Sequence, residues 1–466
     1  MNKKYIGTRD FYRNVLAIVL PIMVQNGITS FVNMLDNIMV GKVGTLEMTA
    51  VSVVNQLMFV FNLFIFGAVS GAGIFGAQYY GKGDYVGHRN TFRFKIICGL
   101  ILSVLAITIF GVGDEWLIGL YLKGETDPAM IAETMGYATD YLKVMLVGLV
   151  PFAISQCYSG SLREGGETVL PMNSGIIAVL VNLIGNYILI FGHFGAPRMG
   201  VVGAAIATVI SRYVELLFLV IVTGRNKDKY PFILDAFKSL RVPADLSKKI
   251  IVKGMPLLIN EGAWSLGLAI ISQVYSWRGT EILAADNICT TFWRLFSVSF
   301  MAVGQAVAII IGQELGANKF REAKEDCPRL IAFAIFISLI MGVLFAITAP
   351  FIPRLYNTSD EIRTMARNLI LICSLVMPID AFVNSCYFTI RSGGQVWITI
   401  LFDSAFVWTV QLVLAFILVK FTSMSIEGVF AVVQFSALSK CVLGYVLLKK
   451  GTWLRNIVDT DQTVEA

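Results

Sequence analysis

Charge is scarce in this chain. Only 15% of its 466 residues are Asp, Glu, Lys or Arg, where a soluble domain carries about 25%, and 56% are hydrophobic, with a mean hydropathy of +0.73. A water-soluble fold is excluded on that composition, and lipid is the expected solvent for most of the surface. Histidine is almost missing, since His88 and His193 are the only two, which excludes a histidine-based metal centre. The seven cysteines (98, 157, 289, 327, 373, 386 and 441) show no CxxC spacing and fall mostly in apolar runs. They read as small buried thiols, without a disulfide framework. HExxH, GxSxG and a phosphate-cradling loop are all lacking, so the chain is not expected to be an enzyme. The formal charge of +6 is spread over short loops between apolar runs. No continuous basic patch is left for nucleic acid.

What is present is a series of apolar runs, rich in Phe (32 residues) and Gly (41 residues). A helical span needs about 20 apolar residues. Spans are expected near 15–40, 50–77, 94–113, 138–162, 169–192, 201–223, 250–276, 284–312, 329–351, 365–390, 397–419 and 426–448. The first run resembles a secretory signal but continues past Asn26 and Asp36 without a small-residue cleavage site, so it reads as an uncleaved first helix. With the amino terminus in the cytoplasm, that side collects about 25 basic residues and the outer side about 8, so both termini are expected to be cytoplasmic. The expected organisation is an amino-terminal six-helix lobe (1–223), a cytoplasmic linker (224–249), a carboxy-terminal six-helix lobe (250–449) and a cytoplasmic tail (450–466).

The two halves repeat. Pro21 and Pro256, Met48-Thr-Ala and Leu283-Ala-Ala, Gln78 and Gln313, and Gly81 and Gly316 pair at one offset of 235 residues, so the register survives two helices and their loops. Further on, Pro151 pairs with Pro378, Cys157-Tyr158 with Cys386-Tyr387, and Arg163-x-Gly-Gly with Arg391-x-Gly-Gly, with small gaps. Common Gly and Pro explain single matches but not a run in register. The fold class is therefore all-α integral membrane, with twelve spans in two lobes related by a pseudo-two-fold along the membrane normal, the architecture of many transporters. Prolines 21, 151, 256 and 378 are either packed kinks or bending points, and Gly67-x-x-x-Gly71-x-Gly73 permits close helix contact.

A carboxylate at mid-membrane costs about 2.5–3.5 kcal/mol on insertion scales, so each one raises a functional hypothesis. Asp36, Glu215, Glu261, Asp380 and Asp403 all fall in expected spans. Asp36 is flanked by Asn33 and Asn37, with no basic residue three or four positions away. It is the leading candidate to bind a coupling cation. Glu215 has Arg212 at i−3, the spacing of an ion pair on one helix face. Glu261 and Asp380 each follow a proline, where freed carbonyls help to hold a cation, and Asp403 lies just inside its span. Among intramembrane cations, Lys143 is placed to pair with Asp140, while Arg294 and Lys440 are either snorkelling residues or partners of cavity acids. Tyr158, Trp264, Trp293 and Tyr387 would suit flat cationic molecules through cation–π contact, against the plainer reading that they face lipid or core.

Several stretches resemble the multidrug and toxic compound extrusion family. NLIGNYILIFGHFGAPRMGVVGAAIAT at 182–208 is similar to its helix 5–6 signature and SFVNMLDNIMVGKVGTLEMTAVSV at 30–53 to its helix 1–2 signature. IGQELGANKFREA at 311–323 and IDAFVNSCYFTIRSGG at 379–394 match as well, and the likeness runs from about residue 12 to 450. The resemblance implies a twelve-helix V-shaped fold, export of small organic cations in exchange for Na⁺ or H⁺, and a bacterial inner-membrane location. By motif, the family's helix 1 acid falls on Asp36, its helix 5 asparagines on Asn182 and Asn186, and its helix 10 acid on Asp380, with Glu261 as the helix 7 acid and Asp403 beside it. Asp36, Glu261 and Asp380 are the positions for a Na⁺ ion, in the manner of the bacterial Na⁺-coupled branch. No other cofactor is expected, and the chain is expected to act as a monomer. The alternative in the wider superfamily is a flippase for lipid-linked saccharides. A pyrophosphate headgroup calls for several unpaired cavity cations, and this chain offers mainly unpaired acids.

Overall fold

The computed structural model describes residues 5–122, 127–279, 281–356 and 358–459, without the side chains of residues 33, 34, 37 and 38. The described residues are helical with no strand. The helices are α1 (Arg9–Gly41), α2 (Thr45–Lys82), α3 (Tyr85–Val112), α4 (Asp114–Tyr121), α5 (Pro128–Val147), α6 (Leu149–Glu164), α7 (Val169–Phe191), α8 (Gly200–Arg225), α9 (Ala244–Tyr275), α10 (Glu281–Gly316), α11 (Phe320–Thr348), α12 (Asp360–Ser392), α13 (Val396–Phe402), α14 (Ser404–Phe406), α15 (Leu412–Phe421), α16 (Ile426–Phe435) and α17 (Ala437–Lys450). Among the described residues, eleven segments are long and apolar enough to cross a membrane, and the pair α5–α6, bent by 46°, makes a twelfth. The chain is a multi-pass membrane protein.

Local chemistry sets several helix ends. Asp127 caps α5 by accepting from Ala129 N at 2.9 Å, with Pro128 at the first helical position, where its missing N–H costs nothing. Ser359 caps α12 through Ile362 N at 3.3 Å, and Asp360 and Glu361 follow in the first turn, where the helix dipole favours acids. Of the sequence-marked prolines, Pro21, Pro256 and Pro378 lie inside long helices. Pro151 follows a bend: its span breaks by 46° at Gly148, where the proline ring crowds the carbonyl of residue 147, four positions back.

Two compact units are present. One comprises Met1–Met23, Ala77–Asp84 and Met255–Ala466, and the other Val24–Gly76 and Tyr85–Gly254. Their division does not fall at the midpoint of the chain. The start of α1 places Val15, Val19 and Ile22 in the core of the first unit, against residues of α10, α11 and α12. The last turns of α2 also belong to that unit. There Gln78 and Gly81 meet each other's repeat partners: a Cβ on Gly81 would lie 2.0 Å from the Gln313 carbonyl oxygen, and one on Gly316 would lie 1.9 Å from the Gln78 carbonyl oxygen. The sequence repeat is thus a physical reciprocity, in which each glycine leaves room for the other helix's backbone.

The segment after α17 is bound to this crossing. Gln78 is fully buried. Its Nε2 donates to the carbonyls of Ser392 (2.9 Å) and Arg455 (3.1 Å), and its Oε1 accepts from Ile457 N at 2.7 Å. Asn456 Nδ2 donates to Gly316 O at 3.2 Å, Trp453 is buried, and Lys82 pairs with Asp459. In the second unit, residues 226–243 pack onto α3: Phe232 stands edge-on to Phe92 at 5.1 Å, and Arg93 donates to the carbonyls of Asp235 and Ala236. Glu167, beside this segment, is pushed up by burial, but hydrogen bonds from Lys229 (2.7 Å), the Leu170 amide and Tyr230 outweigh it and hold the carboxyl below its ordinary range.

Two predictions follow from these contacts. Gly81→Ala and Gly316→Ala should each lower stability by about 1–3 kcal/mol, because backbone and not a flexible side chain must give way. Gly224→Ala, a helical site with open space, should be neutral or stabilising. Thermal unfolding in detergent measures all three. Asp459 is held below the ordinary carboxylate range by its hydrogen bonds from Lys82 and then Asn318. A depressed folded value stabilises above the unfolded one and is lost as pH falls. The difference in Tm between wild type and Asp459→Asn should therefore be full at neutral pH, start to shrink near about pH 4 and vanish only as pH falls through the lower folded value.

Candidate cation site

In the second unit, three sequence-marked residues come together. Asp36 on α1 faces α7, and Asn186 Nδ2 donates to its Oδ1 at 2.7 Å. Asn182 stands one turn away on the same face of α7. With its amide nitrogen toward the carboxylate, Asn182 donates to Asp36 Oδ2 at 2.9 Å and accepts from Thr208 Oγ1 at 3.0 Å. That orientation sets donor against acceptor toward Asp36 and Thr208. Both asparagines are buried, whereas Asp36 is partly buried. Asn33 and Asn37 lie outside the described side chains.

The carboxylate of Asp36 is thus held by neutral amides. The nearest influential cation is Arg212 on α8, whose Nη1 sits 3.4 Å from Glu215 Oε2 while its guanidinium lies 4.9 Å over the Phe152 ring. The Arg212–Glu215 pair expected from spacing is present. Lys143 and Asp140 form no ion pair among the described residues. Both stay exposed, where such a pair gains little. Asn186 Oδ1 is buried with no hydrogen-bond partner. An orphaned acceptor beside a carboxylate is a ligand set with room for one more positive group, either a proton on Asp36 or a Na⁺ reached by Asp36 and Asn186 Oδ1.

The first unit contains the other acids, arranged differently. Glu261 on α9 accepts from Tyr387 OH at 2.7 Å, with Arg391 and Asp403 in electrostatic reach. Asp403 stands at the break between α13 and α14. Its Oδ2 accepts from Asn260 at 3.2 Å and its Oδ1 lies 3.2 Å from Lys440 Nζ. Asp380 on α12 makes no hydrogen bond among the described residues, and Lys440 is the charge that acts on it. No hydrogen bond joins Glu261 to Asp380. They are linked through Asp403 and Lys440. Of these three acids only Asp403 has a cation at hydrogen-bond distance; Arg391 acts on Glu261 and Lys440 on Asp380 from further away, as Arg212 does on Asp36.

Of the four aromatics marked for substrate contact, Tyr387 is engaged by Glu261. Tyr158 is buried edge-on to Phe92 at 5.0 Å in the core of the second unit. Trp293 packs on the first unit's core near Phe300, and Trp264 is partly exposed. Arg294 is exposed and has no ion pair among the described residues.

Sequence reasoning missed a buried ion pair. Lys95 on α3 is fully buried, with Nζ 2.5 and 2.6 Å from the two oxygens of Glu164 and 3.0 Å from Ser161 Oγ. His88 Nε2 lies 3.5 Å from the same carboxylate. Glu164 fits because Gly76 on α2 has no side chain, since a Cβ there would meet Glu164 Oε2 at 1.9 Å. Lys95 is the second residue of the expected span 94–113 and Glu164 lies two residues past the span 138–162, so both sit where a charge ordinarily reaches water. The available signal was Gly73 and Gly76, small residues facing nothing apolar. Asp286 on α10 was also missed. It lies five residues into its helix and 3.5 Å from Ser272 Oγ.

The MatE family model matches residues 21–188 and 256–417 of this chain. The chain belongs to the MatE family. Among relatives of this MatE protein is the probable multidrug resistance protein NorM of Thermotoga maritima, 25% identical over 465 residues, covering 98% of this chain and 96% of the relative. The probable multidrug resistance protein YoeA of Bacillus subtilis is 27% identical over 90% of this chain and 89% of its own length. The multidrug resistance protein MdtK of Edwardsiella ictaluri is 24% identical over 79% of each. A solved structure described as the outward-facing conformation of a multidrug resistance MATE family transporter of the MOP superfamily superposes with a TM-score of 0.85 at 19% identity, over 94% of this chain and 95% of the other. A MOP superfamily transporter from Pyrococcus furiosus superposes at 0.84 and 18% identity, over 97% of each. These structures share the MatE protein's fold.

Lys95→Met should strand Glu164 and destabilise the protein by about 3–5 kcal/mol. Lys95→Met with Glu164→Gln should recover most of that loss. Chemical or thermal unfolding of the three proteins measures the coupling.

Proposed function

We propose that this protein is a secondary transporter that exports organic cations in exchange for inward Na⁺ or H⁺, with Asp36 as the coupling carboxylate. One observation carries the reading: an acid inside a membrane span is answered at hydrogen-bond distance by neutral amides alone, next to an acceptor with no partner. Such a carboxylate binds a small cation as its counter-charge. The named roles of relatives in multidrug resistance, NorM and MdtK among them, support an exported drug as the other partner in the exchange.

Coupling follows from differential binding. A cation on Asp36 neutralises the buried charge and removes the requirement that Asn182 and Asn186 stay pointed at it, so the loaded and empty forms of α1 and α7 prefer different packings. One-to-one exchange of a monovalent organic cation for Na⁺ or H⁺ moves no net charge, so the ion's concentration gradient drives it, at about 1.4 kcal/mol per tenfold. The inward gradient of the ion sets export as the direction, and the distribution of Lys and Arg supports both termini in the cytoplasm. The flippase reading lacks support in the site, where acids outnumber free cations.

Asp36→Asn should abolish ion-driven efflux of a cationic dye from proteoliposomes while leaving the protein folded, because a neutral amide keeps the size of the side chain and loses the charge. Efflux measured at fixed pH with and without a Na⁺ gradient, and then with a pH gradient alone, assigns the ion. Full transport by Asp36→Asn, or none by wild type under either gradient, overturns the proposal.

A further inference from the structure

Lys440 is a lysine enclosed within a membrane protein's interior, only 6% exposed. Its ammonium lies 5.1 Å from the Phe402 ring centroid and 5.4 Å from that of Phe406, and 3.2 Å from Asp403 Oδ1. Asp380 is in electrostatic reach of the same group. Two aromatic faces and a carboxylate around one ammonium make the recognition chemistry used for alkylated ammonium ligands.

The helices are shaped for this cage. α13 stops at Phe402, Asp403 has φ −106° and ψ −82°, and residues Val407–Gln411 form a π-helical turn. Widened turns of this kind concentrate at functional sites. The break lets Asn260 Oδ1 accept from Ser404 N at 3.3 Å while Asn260 Nδ2 donates to Asp403 Oδ2 at 3.2 Å, so one carboxylate oxygen is fixed by a neutral group. The other oxygen has Lys440 alone. The next span is interrupted too, at Ser436, four residues before Lys440. At 3.2 Å the Lys440 contact is longer than the about 2.7–2.9 Å of a well-formed charge-assisted bond. A four-carbon stem allows the ammonium to leave without moving the helix. A pair built for stability alone gains little over apolar residues of the same size.

We propose that Phe402, Phe406 and Asp403 form a binding cage for the ammonium head of an organic cation, and that Lys440 is its tethered, displaceable occupant. The identity of the guest as cargo rests on the export reading above, whereas the cage does not. A guest cation replaces the Lys440 ammonium at Asp403 Oδ1 and on the two rings, and Lys440 swings out. When the guest leaves, Lys440 returns and the carboxylate is never without a counter-charge. Lys440 thus sets a threshold that an incoming cation must exceed, and it selects for guests that stack on aromatic faces better than a primary ammonium does.

Equilibrium dialysis of purified full-length protein with radiolabelled tetraethylammonium tests this. Lys440→Met removes the competitor and should bind about tenfold more tightly than wild type. Lys440→Arg, a more strongly stacking occupant, should bind more weakly than wild type. Asp403→Asn added to Lys440→Met should abolish the gain. Should Lys440→Met fail to fold, as judged by gel filtration, the fall in affinity of Lys440→Arg decides alone. Equal affinities across wild type and the folded Lys440 variants, or no binding by any of them, overturn the cage. Dye efflux that persists alongside such a result leaves the export reading standing, and the expected affinity pattern without any efflux leaves the cage standing by itself.

Discussion

A charge among hydrocarbon has to be answered from inside the protein, and this constraint organises the molecule. Lys95 and Glu164 answer each other at 2.5 Å, and two glycines on α2 make the space. Arg212 answers Glu215, and Lys440 answers Asp403. Asp36 and Asp380 have no direct cation: Asp36 is met by amides and feels Arg212 at a distance, and Asp380 feels Lys440. The difference separates acids answered by a direct partner charge from acids answered by neutral groups or distant charge.

The two units solve the same problem in different ways. In one, the carboxylate is exposed to exchange because its partners are neutral and one acceptor is spare. In the other, acids and cations form a connected set, Glu261 with Tyr387 and Arg391, Asp403 with Asn260 and Lys440, whose charges already balance in large part. A repeat of sequence has therefore not produced a repeat of electrostatics.

Much of this was legible beforehand. Twelve spans, the Arg212–Glu215 pair and the grouping of Asp36 with Asn182 and Asn186 all come from periodicity, spacing and motif, which are local or nearly local signals. What was hidden depends on tertiary placement. Lys95 and Glu164 sit at the ends of apolar runs, where a charge ordinarily reaches water, and only the packing of α3, α6 and α2 shows them buried. Pro151 was marked as a kink or a bending point, and its span does bend, at Gly148 within one turn before it. Lys440 was visible as an unexplained cation, but its aromatic neighbours come from a helix break that no propensity marks. Lys143 and Asp140 had the right spacing and no reason to use it, because both remain exposed.

The reciprocal crossing of α2 and α10 also bears on how the chain is made. Gly81 and Gln78 reach their final neighbours only when residues 313–316 have been synthesised, and the tail that completes Gln78's hydrogen bonds comes last of all. As the nascent chain leaves the ribosome, the amino-terminal half is inserted with one helix end unfinished, its amide side chain and bare backbone waiting for a strand of protein not yet translated. Long-range closure of this kind makes assembly slow and leaves early intermediates open to wrong partners. A protein cut at its midpoint would release a first half lacking a surface that only the second half supplies.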